Sequence, residues 1–251
     1  MTGYLMRHDT QFEPRTISSS HDCNMAAAAD ALRWFTLGMK DRNHDQLRHD
    51  SGTYAELTDG IPGNDGTNIS DAQHALSVNG CPSTVFDELD RQLSEDVWDV
   101  LRAGGVVIAH GDYGSVPPEL RGPISRRYAG LHAVLFVGMS STGVIVADGL
   151  SDALMTWPLA VAAAYMADFP GAGCTFLAVT PRRITSRVTR ANVRAQPSTL
   201  AGIRGTIGQR DKLHAGGTVI GRPVGANKTW WRVWFRGQAG YVHSSVAKLT
   251  P

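Results

Sequence analysis

An α+β domain followed by a small all-β barrel is the architecture that the sequence predicts. Segment 22–38 is typical of a helix, and strand-like spacing begins after the Gly104-Gly105 pair. Beyond the polar stretch 181–187, short strand-like segments recur at regular spacing with turns between them. With 251 residues and 42% hydrophobic content, the chain has material for one large and one small domain. We therefore predict a domain at 1–182, a linker at 183–187 and a barrel at 188–251.

The helices come first along the chain. In DCNMAAAADALRWFTLG, Asp22 is a suitable N-cap, the alanines favour the helix and Gly38 can end it. The turn-rich stretch 58–68 predicts a loop. Two further helices are expected at 70–79 and at about 86–103.

The second half of this domain reads mainly as strands. A short strand is expected at 106–109, and 132–137 with 144–147 gives the strongest hairpin signal in the chain. A short helix at 158–166, with Pro158 in its first turn, and a strand at 176–179 follow.

Charge and hydropathy limit the partners. The net charge is +1 and the pI about 7.8, so no overall basic field predicts binding to nucleic acid or an anionic membrane. The N-terminus lacks a secretory signal, and the longest apolar stretch, 153–167, is interrupted by Pro158 and falls short of the roughly 20 residues of a membrane span. We expect synthesis in the cytoplasm and no membrane partner.

No metal or other cofactor is expected. The three cysteines contain no C-x-x-C pair, which argues against a structural zinc site. The spacing of His44, His49 and His74 is not that of ligands on one helix face.

Cys23 is the candidate nucleophile. It directly follows the predicted N-cap Asp22, and the positive end of a helix dipole favours a thiolate. The alternative is a buried structural cysteine on an alanine-rich helix.

His132 and Asp148 are the candidate base and its orienting carboxylate. His132 opens one strand of the predicted hairpin and Asp148 ends the other, so antiparallel pairing brings them close. His110, which has Asp112 nearby, competes for the role of base, but no core strand follows it.

Three segments together resemble a known family. DCNMAAAADAL, DGTNISDAQHALSVNG and LHAVLFVGMSSTGVIVADG, in this order, resemble the bacteriocin-processing-like branch of the papain-like cysteine peptidases. The resemblance covers about residues 11–180. It implies a papain-like fold in which Cys23 is the nucleophile, His132 the general base and acid, and Asp148 the orienting residue.

The sequence departs from that family at the oxyanion donor. The family places a Gln several residues before the Cys, whereas Ile17 and Ser18 lie there in this chain. Ser18, Ser19 or His21, beside the Cys23 backbone N–H, would have to substitute, and a lost donor costs roughly 100- to 1,000-fold in rate. A catalytically inactive domain is therefore the alternative.

The C-terminal segment resembles bacterial SH3-type domains. The similarity lies in NVRAQPS (192–198), WWRVWFRG and GYVHSS (240–245). Such modules bind cell-wall peptide or serve as docking surfaces. Strand alternation separates Trp230 and Trp234 from Trp231, and we predict a wall- or partner-binding surface at Trp230, Trp234 and Tyr241.

A cysteine peptidase joined to an SH3-type module is typical of phage lysins and virion-associated wall hydrolases. The predicted function is cleavage of peptide bonds in bacterial peptidoglycan, after holin-type release from the host cytoplasm or as part of a virion beside other virion proteins. An inactive structural or attachment component of a phage tail is the alternative. Acyl transfer to an amine instead of water is equally compatible with the sequence.

Overall fold

The structure is a computed structural model that describes residues 23–53, 67–87, 93–122, 129–151, 153–167 and 175–250. It is a mixed α+β protein with two antiparallel sheets. The chain divides into two compact units. The first runs to Thr180 without Arg33–Lys40, and the second contains Arg33–Lys40 and Pro181–Pro251.

The first helix is the most buried one. Its alanines and large apolar side chains are almost all shielded from solvent, as expected for a helix at the centre of a domain. Leu37 and Gly38 follow with positive φ, and the Gly38 N–H donates to the Arg33 carbonyl at 2.8 Å, which ends the helix. The helices are α1 (Cys23–Thr36), α2 (His44–Ser51), α3 (Ile69–Val78), α4 (Leu93–Arg102) and α5 (Leu159–Ala167).

A six-stranded antiparallel sheet forms the rest of the first unit. Its order is β1-β6-β2-β3-β4-β5, so β2 and β3 lie at its centre. Alternate residues of the central strands pack with Trp98, Trp157 and Tyr165 in one hydrophobic core. The strands are β1 (Thr84–Asp87), β2 (Val106–Asp112), β3 (Leu131–Met139), β4 (Val144–Asp148), β5 (Met155–Trp157) and β6 (Thr175–Val179).

The predicted helix at 86–103 is wrong in its first part. Residues 84–87 form β1, which pairs with β6, and the helix begins only at Leu93. Thr84, Val85 and Phe86 favour a strand, and pairing along β6 stabilises it. Helix α2 was not predicted. Its polar sequence is stabilised by a capping box of Asn43 and Gln46.

A seven-stranded antiparallel sheet forms the second unit, in the order β13-β7-β10-β11-β12-β8-β9. The predicted linker 183–187 is wrong because it contains β7, in which Ile184 is fully buried between β10 and β13. The strands are β7 (Arg183–Ser186), β8 (Ala191–Arg194), β9 (Ile203–Ile207), β10 (Leu213–Val224), β11 (Asn227–Phe235), β12 (Gln238–His243) and β13 (Ala247–Thr250).

Trp230 does not belong to an exposed surface, so that prediction is wrong. Only 1% of Trp230 is exposed, and its indole N–H donates to the Arg222 carbonyl at 2.9 Å. Gly221 lies so close to Pro197 and the Trp230 ring that a side chain there would not fit. The chain around Pro197 and Gly221 therefore covers the indole. Trp234 and Tyr241 are half-buried.

Candidate active site

Cys23 is the first residue of α1, and its side chain is half-buried. The backbone N–H groups at a helix start have no intrahelical partners and carry partial positive charge. The thiol therefore lies where a negative sulfur is favoured. Neither Cys23 nor Cys81 forms a disulfide bond within the described residues, and Cys174 lies outside them.

His132 and Asp148 are neighbours across the β3–β4 ladder. Asp148 pairs with Val134, which places it diagonally opposite His132 on the same face of the sheet. The Nε2 atom of His132 lies 2.6 Å from Oδ1 of Asp148, and both side chains are buried. This geometry fixes the imidazole ring and leaves its Nδ1 atom for another partner.

The Cys23 side chain is also a hydrogen-bond partner of His132. Burial alone lowers the pKa of His132, but the hydrogen bonds and negative charges of Asp148 and Cys23 outweigh it and raise that pKa to about 10. His132 therefore carries a proton through neutral pH. A protonated imidazole beside a thiol favours the thiolate, which is the form that attacks carbonyl carbons.

The Asp148 carboxylate is held by further donors. The Tyr113 hydroxyl donates to its Oδ2 atom, and the Leu150 N–H donates to Oδ1 at 2.9 Å. Burial alone raises the pKa of Asp148, but its contacts with His132, Tyr113 and Leu150 outweigh burial and lower that pKa. Asp148 is therefore ionised at neutral pH and balances the charge on His132.

Two tyrosines that the sequence analysis did not single out support this pair. Tyr113 is fully buried, and its ring packs edge-on to His132 at 5.0 Å between centroids. The Tyr165 hydroxyl donates to the His132 carbonyl at 2.5 Å. A tyrosine in the HGDYG segment, shortly after the predicted strand 106–109, is the one signal that the sequence offers for Tyr113.

A second polar group adjoins Cys23. The Asn24 side chain is buried; its Nδ2 donates to the Thr67 carbonyl at 2.5 Å, and its Oδ1 is hydrogen-bonded to Nε2 of His110. Burial, assisted by the charge of His132, lowers the pKa of His110 to about 4. His110 is therefore neutral at pH 7 and donates to Asn24. This chain of contacts joins the start of α1 to β2 and to the residue before the Asn68 cap of α3.

His110 differs from His132 in its surroundings. Asp112, which lies close to His110 in the sequence, accepts from the Gly114 N–H at 2.8 Å. His132, by contrast, contacts both a thiol and a carboxylate. Of the two histidines, His132 is therefore the one that has both a thiol and a carboxylate as partners.

A cavity of about 250 Å³ opens beside the thiol. It is lined by Cys23, Asn24, Thr67, Asn68, His110, Leu131, His132 and Ala133. The cavity therefore gives a small group access to the Cys23 sulfur while Asp148 stays buried behind His132.

The remaining predictions concern the oxyanion donors, a metal site and a membrane span. Ser18 and His21, the predicted oxyanion donors, lie outside the described residues. Within the described ranges, no group of three or more His, Cys, Asp or Glu side chains is arranged to hold a metal ion. Nor is any helix there long and apolar enough to cross a membrane.

No protein-family model matches the chain, and no curated protein matches it. Among solved structures, it is similar to a Bacillus anthracis protein described as a C39-like peptidase, with 14% identity, a TM-score of 0.44, and coverage of 70% of this chain and 96% of that one.

Two structures of Ly7917, one with the hydrolysis product of MDP, are similar at 14% identity, with TM-scores of 0.21 and 0.20. They cover 64% and 66% of this chain, which spans 61% and 62% of theirs. All three TM-scores are below 0.5.

Proposed function

We propose that the chain is a papain-like cysteine peptidase with Cys23 as its nucleophile. One observation carries the proposal: a buried imidazole that contacts a thiol at a helix start on one side and a buried carboxylate on the other. Cys23, His132 and Asp148 are the three residues of the proposed site. Their sequence segments resemble the bacteriocin-processing-like branch of this class.

The reaction proceeds through an acyl-enzyme. The Cys23 thiolate attacks the carbonyl carbon of a peptide bond, and the backbone N–H of Cys23, with Ser18 or His21, donates to the oxyanion. The His132 imidazolium gives its proton to the leaving amine, so the C–N bond breaks and a thioester remains. His132 then accepts a proton from the attacking water, whose hydroxyl forms the acid as the C–S bond breaks, and the Cys23 thiolate beside protonated His132 is restored. Asp148 orients the ring throughout.

The proposed substrate is the peptide part of bacterial peptidoglycan. The resemblance of residues 188–251 to SH3-type modules and their pairing with a cysteine peptidase support this substrate. In this proposal the half-buried Trp234 and Tyr241 contact the wall or a partner. The protein acts as a phage lysin after holin-type release, or as a wall hydrolase within a virion.

Digestion of purified peptidoglycan tests the proposal. Wild-type protein, Cys23→Ala and Cys81→Ala are incubated with sacculi from several bacteria, and released fragments are analysed by mass spectrometry. We expect new amino termini with wild type and with Cys81→Ala, because Cys81 is a buried thiol outside the site. Cys23→Ala is expected to release none.

Two outcomes of this digestion would contradict a peptidase. Absence of cleavage by wild type, together with a Cys23 that does not react with iodoacetamide at neutral pH, would favour an inactive structural component. Transfer of the acyl group to an added amine, with no free acid formed, would identify a transferase instead of a peptidase.

A further inference from the structure

Positive charge is concentrated in residues 181–251. This segment contains 13 Lys and Arg residues and one acid, Asp211, which gives +12 with neutral histidines. The other 180 residues contain 11 basic and 22 acidic side chains, a net charge of −11. The overall charge of +1 hides this division, because the two parts cancel. A field of this strength attracts anions to the C-terminal unit.

A groove in the same unit gathers three of these cations. Its volume is about 720 Å³, and it lies along β7, β13 and the turn before β10. The lining residues are Thr185, Ser186, Arg187, Gln209, Lys212, Lys248, Leu249 and Thr250. Among the described residues that line the groove, three side chains are cationic and none is a carboxylate, so their side-chain charge is uniformly positive.

The cations of the groove are not used by the fold. In the part of the chain that the structure describes, the ammonium groups of Lys212 and Lys248 make no hydrogen bond or ion pair, and Arg187 donates only through Nε, to the Ala247 carbonyl at 3.2 Å. The nearby Asp211 carboxylate accepts from the Gly208 N–H at 2.7 Å and does not line the groove. The guanidinium Nη groups and both lysines are therefore available to a ligand.

The walls of the groove are tied together. The Thr185 hydroxyl donates to the Gln209 carbonyl at 2.6 Å, and the Gln209 amide donates to the Arg187 carbonyl at 3.4 Å. Lys248 lies opposite Thr185 in the β7–β13 ladder. Since these contacts fix β7, β13 and the turn before β10, little backbone freedom would be lost on binding.

We infer that this groove binds an anionic polymer of the bacterial cell envelope through phosphate or carboxylate groups. Arg187 is suited to a bidentate contact with such an oxyanion, and the two lysines act as point charges. None of the described lining residues is aromatic, so they offer no stacking platform of the kind that single-stranded nucleic acid uses. The choice of the envelope as the source rests on the proposed function.

The positive charge of the C-terminal unit would bring the chain to an anionic cell wall. Residues 1–180, with a net charge of −11, are repelled by an anionic wall, whereas the +12 of residues 181–251 attracts the chain to it. Binding through the groove would raise the local concentration of the Cys23 site at its substrate.

Co-sedimentation with sacculi tests the inference. The full chain carries Cys23→Ala, so that binding is measured without cleavage. Lys212→Ala/Lys248→Ala removes two groove charges, and Arg222→Ala/Lys228→Ala removes two exposed charges outside the groove. We expect the groove variant to bind about 3- to 20-fold more weakly, with an unchanged melting temperature, and the control to bind within about twofold of the parent. Raising the salt concentration should weaken parental binding.

Two further arms identify the ligand. Sacculi treated with hydrofluoric acid lose their phosphodiester-linked polymers, so lost binding identifies phosphate and retained binding identifies carboxylate, and both support the inference. Equal binding by the groove variant and its parent, or equal loss in the control, overturns it. Stronger competition by a DNA duplex than by soluble wall polymer overturns the envelope ligand. Groove-dependent binding by a protein whose wild type cuts no peptide bond would leave this inference standing and remove only the proposed activity.

Discussion

The imidazole Nε2 of His132 lies 2.6 Å from the carboxylate Oδ1 of Asp148, and solvent reaches neither side chain appreciably. The Asp148 carboxylate orients the His132 ring and stabilises its proton. The second partner of the ring is the Cys23 thiol. Since Asp148 is itself held by Tyr113 and Leu150, the ring position is set before any substrate binds.

Replacing Asp148 by Asn should remove the largest contact that raises the pKa of His132 while keeping the side-chain volume. We expect kcat/KM for peptide cleavage to fall about 100- to 10,000-fold. Asp112→Asn is the matched control, because Asp112 caps a turn and does not contact His132. Equal losses in the two variants would contradict the orienting role of Asp148.

Asn24→Ala should break the contact that joins the start of α1 to His110 and Thr67. Because the Cys23 thiol is then held less firmly, kcat/KM should fall about 10- to 100-fold. Asn79→Ala is the control: Asn79 is another buried, hydrogen-bonded Asn in the same unit. Melting temperatures should show that both variants are destabilised. Steady-state kinetics, with rates normalised to the concentration of folded protein, should show a loss of activity only in Asn24→Ala.

The lowered pKa of His110 makes the free energy of unfolding depend on pH. Its folded-state pKa of about 4 lies below the ordinary 6.5, so between these values the unfolded chain binds a proton that the folded chain does not. Its contribution to stability is therefore present above pH 6.5 and lost as the pH falls towards 4. His110→Gln should reduce the loss of unfolding free energy between pH 7 and 4.5 by about 1–3 kcal/mol. Urea unfolding at both pH values measures this, with exposed His74→Gln as the control.

Gly111→Ala should disturb the strand that flanks His132. Gly111 pairs with His132, and an added Cβ would lie 2.0 Å from the Tyr165 carbonyl oxygen. We expect destabilisation of about 1–3 kcal/mol or more and a loss of activity. Gly202→Ala, where no atom lies within 4 Å of the added Cβ, should be nearly neutral. A fully active and stable Gly111→Ala would show that β2 and α5 are not held this close.

Much of the first unit could be predicted from local patterns. The alanine run confirmed as α1 and the hairpin confirmed as β3–β4 have strong, short-range signals that agree with their tertiary contacts. Helix α2 could not be predicted in the same way, because its polar sequence lacks an apolar face and depends on its capping box. Strand β1 depends on β6, about 90 residues away, which no local window contains.

Some residues of the candidate site could likewise be predicted from local patterns, and others could not. Cys23, His132 and Asp148 could be predicted from a helix start and a hairpin. The hydrogen bonds that Tyr113, Asn24 and His110 make depend on contacts between distant segments, which local patterns do not reveal. Trp230 was misassigned because alternation along β11 gives only the face of a residue, and the chain around Pro197 and Gly221 covers that face. The net charge of +1 likewise concealed a strongly basic C-terminal unit.

The rate of Cys23 alkylation by iodoacetamide as a function of pH tests the central claim most directly. If protonated His132 holds Cys23 as a thiolate, wild type should react rapidly with little change between pH 6 and 8, at least about tenfold faster at pH 6 than His132→Ala. Peptide mapping assigns the label to Cys23, and Cys81→Ala removes the other described thiol. A wild-type rate that rises steadily with pH towards about 8.5, as for a free thiol, and matches that of His132→Ala would contradict the claim.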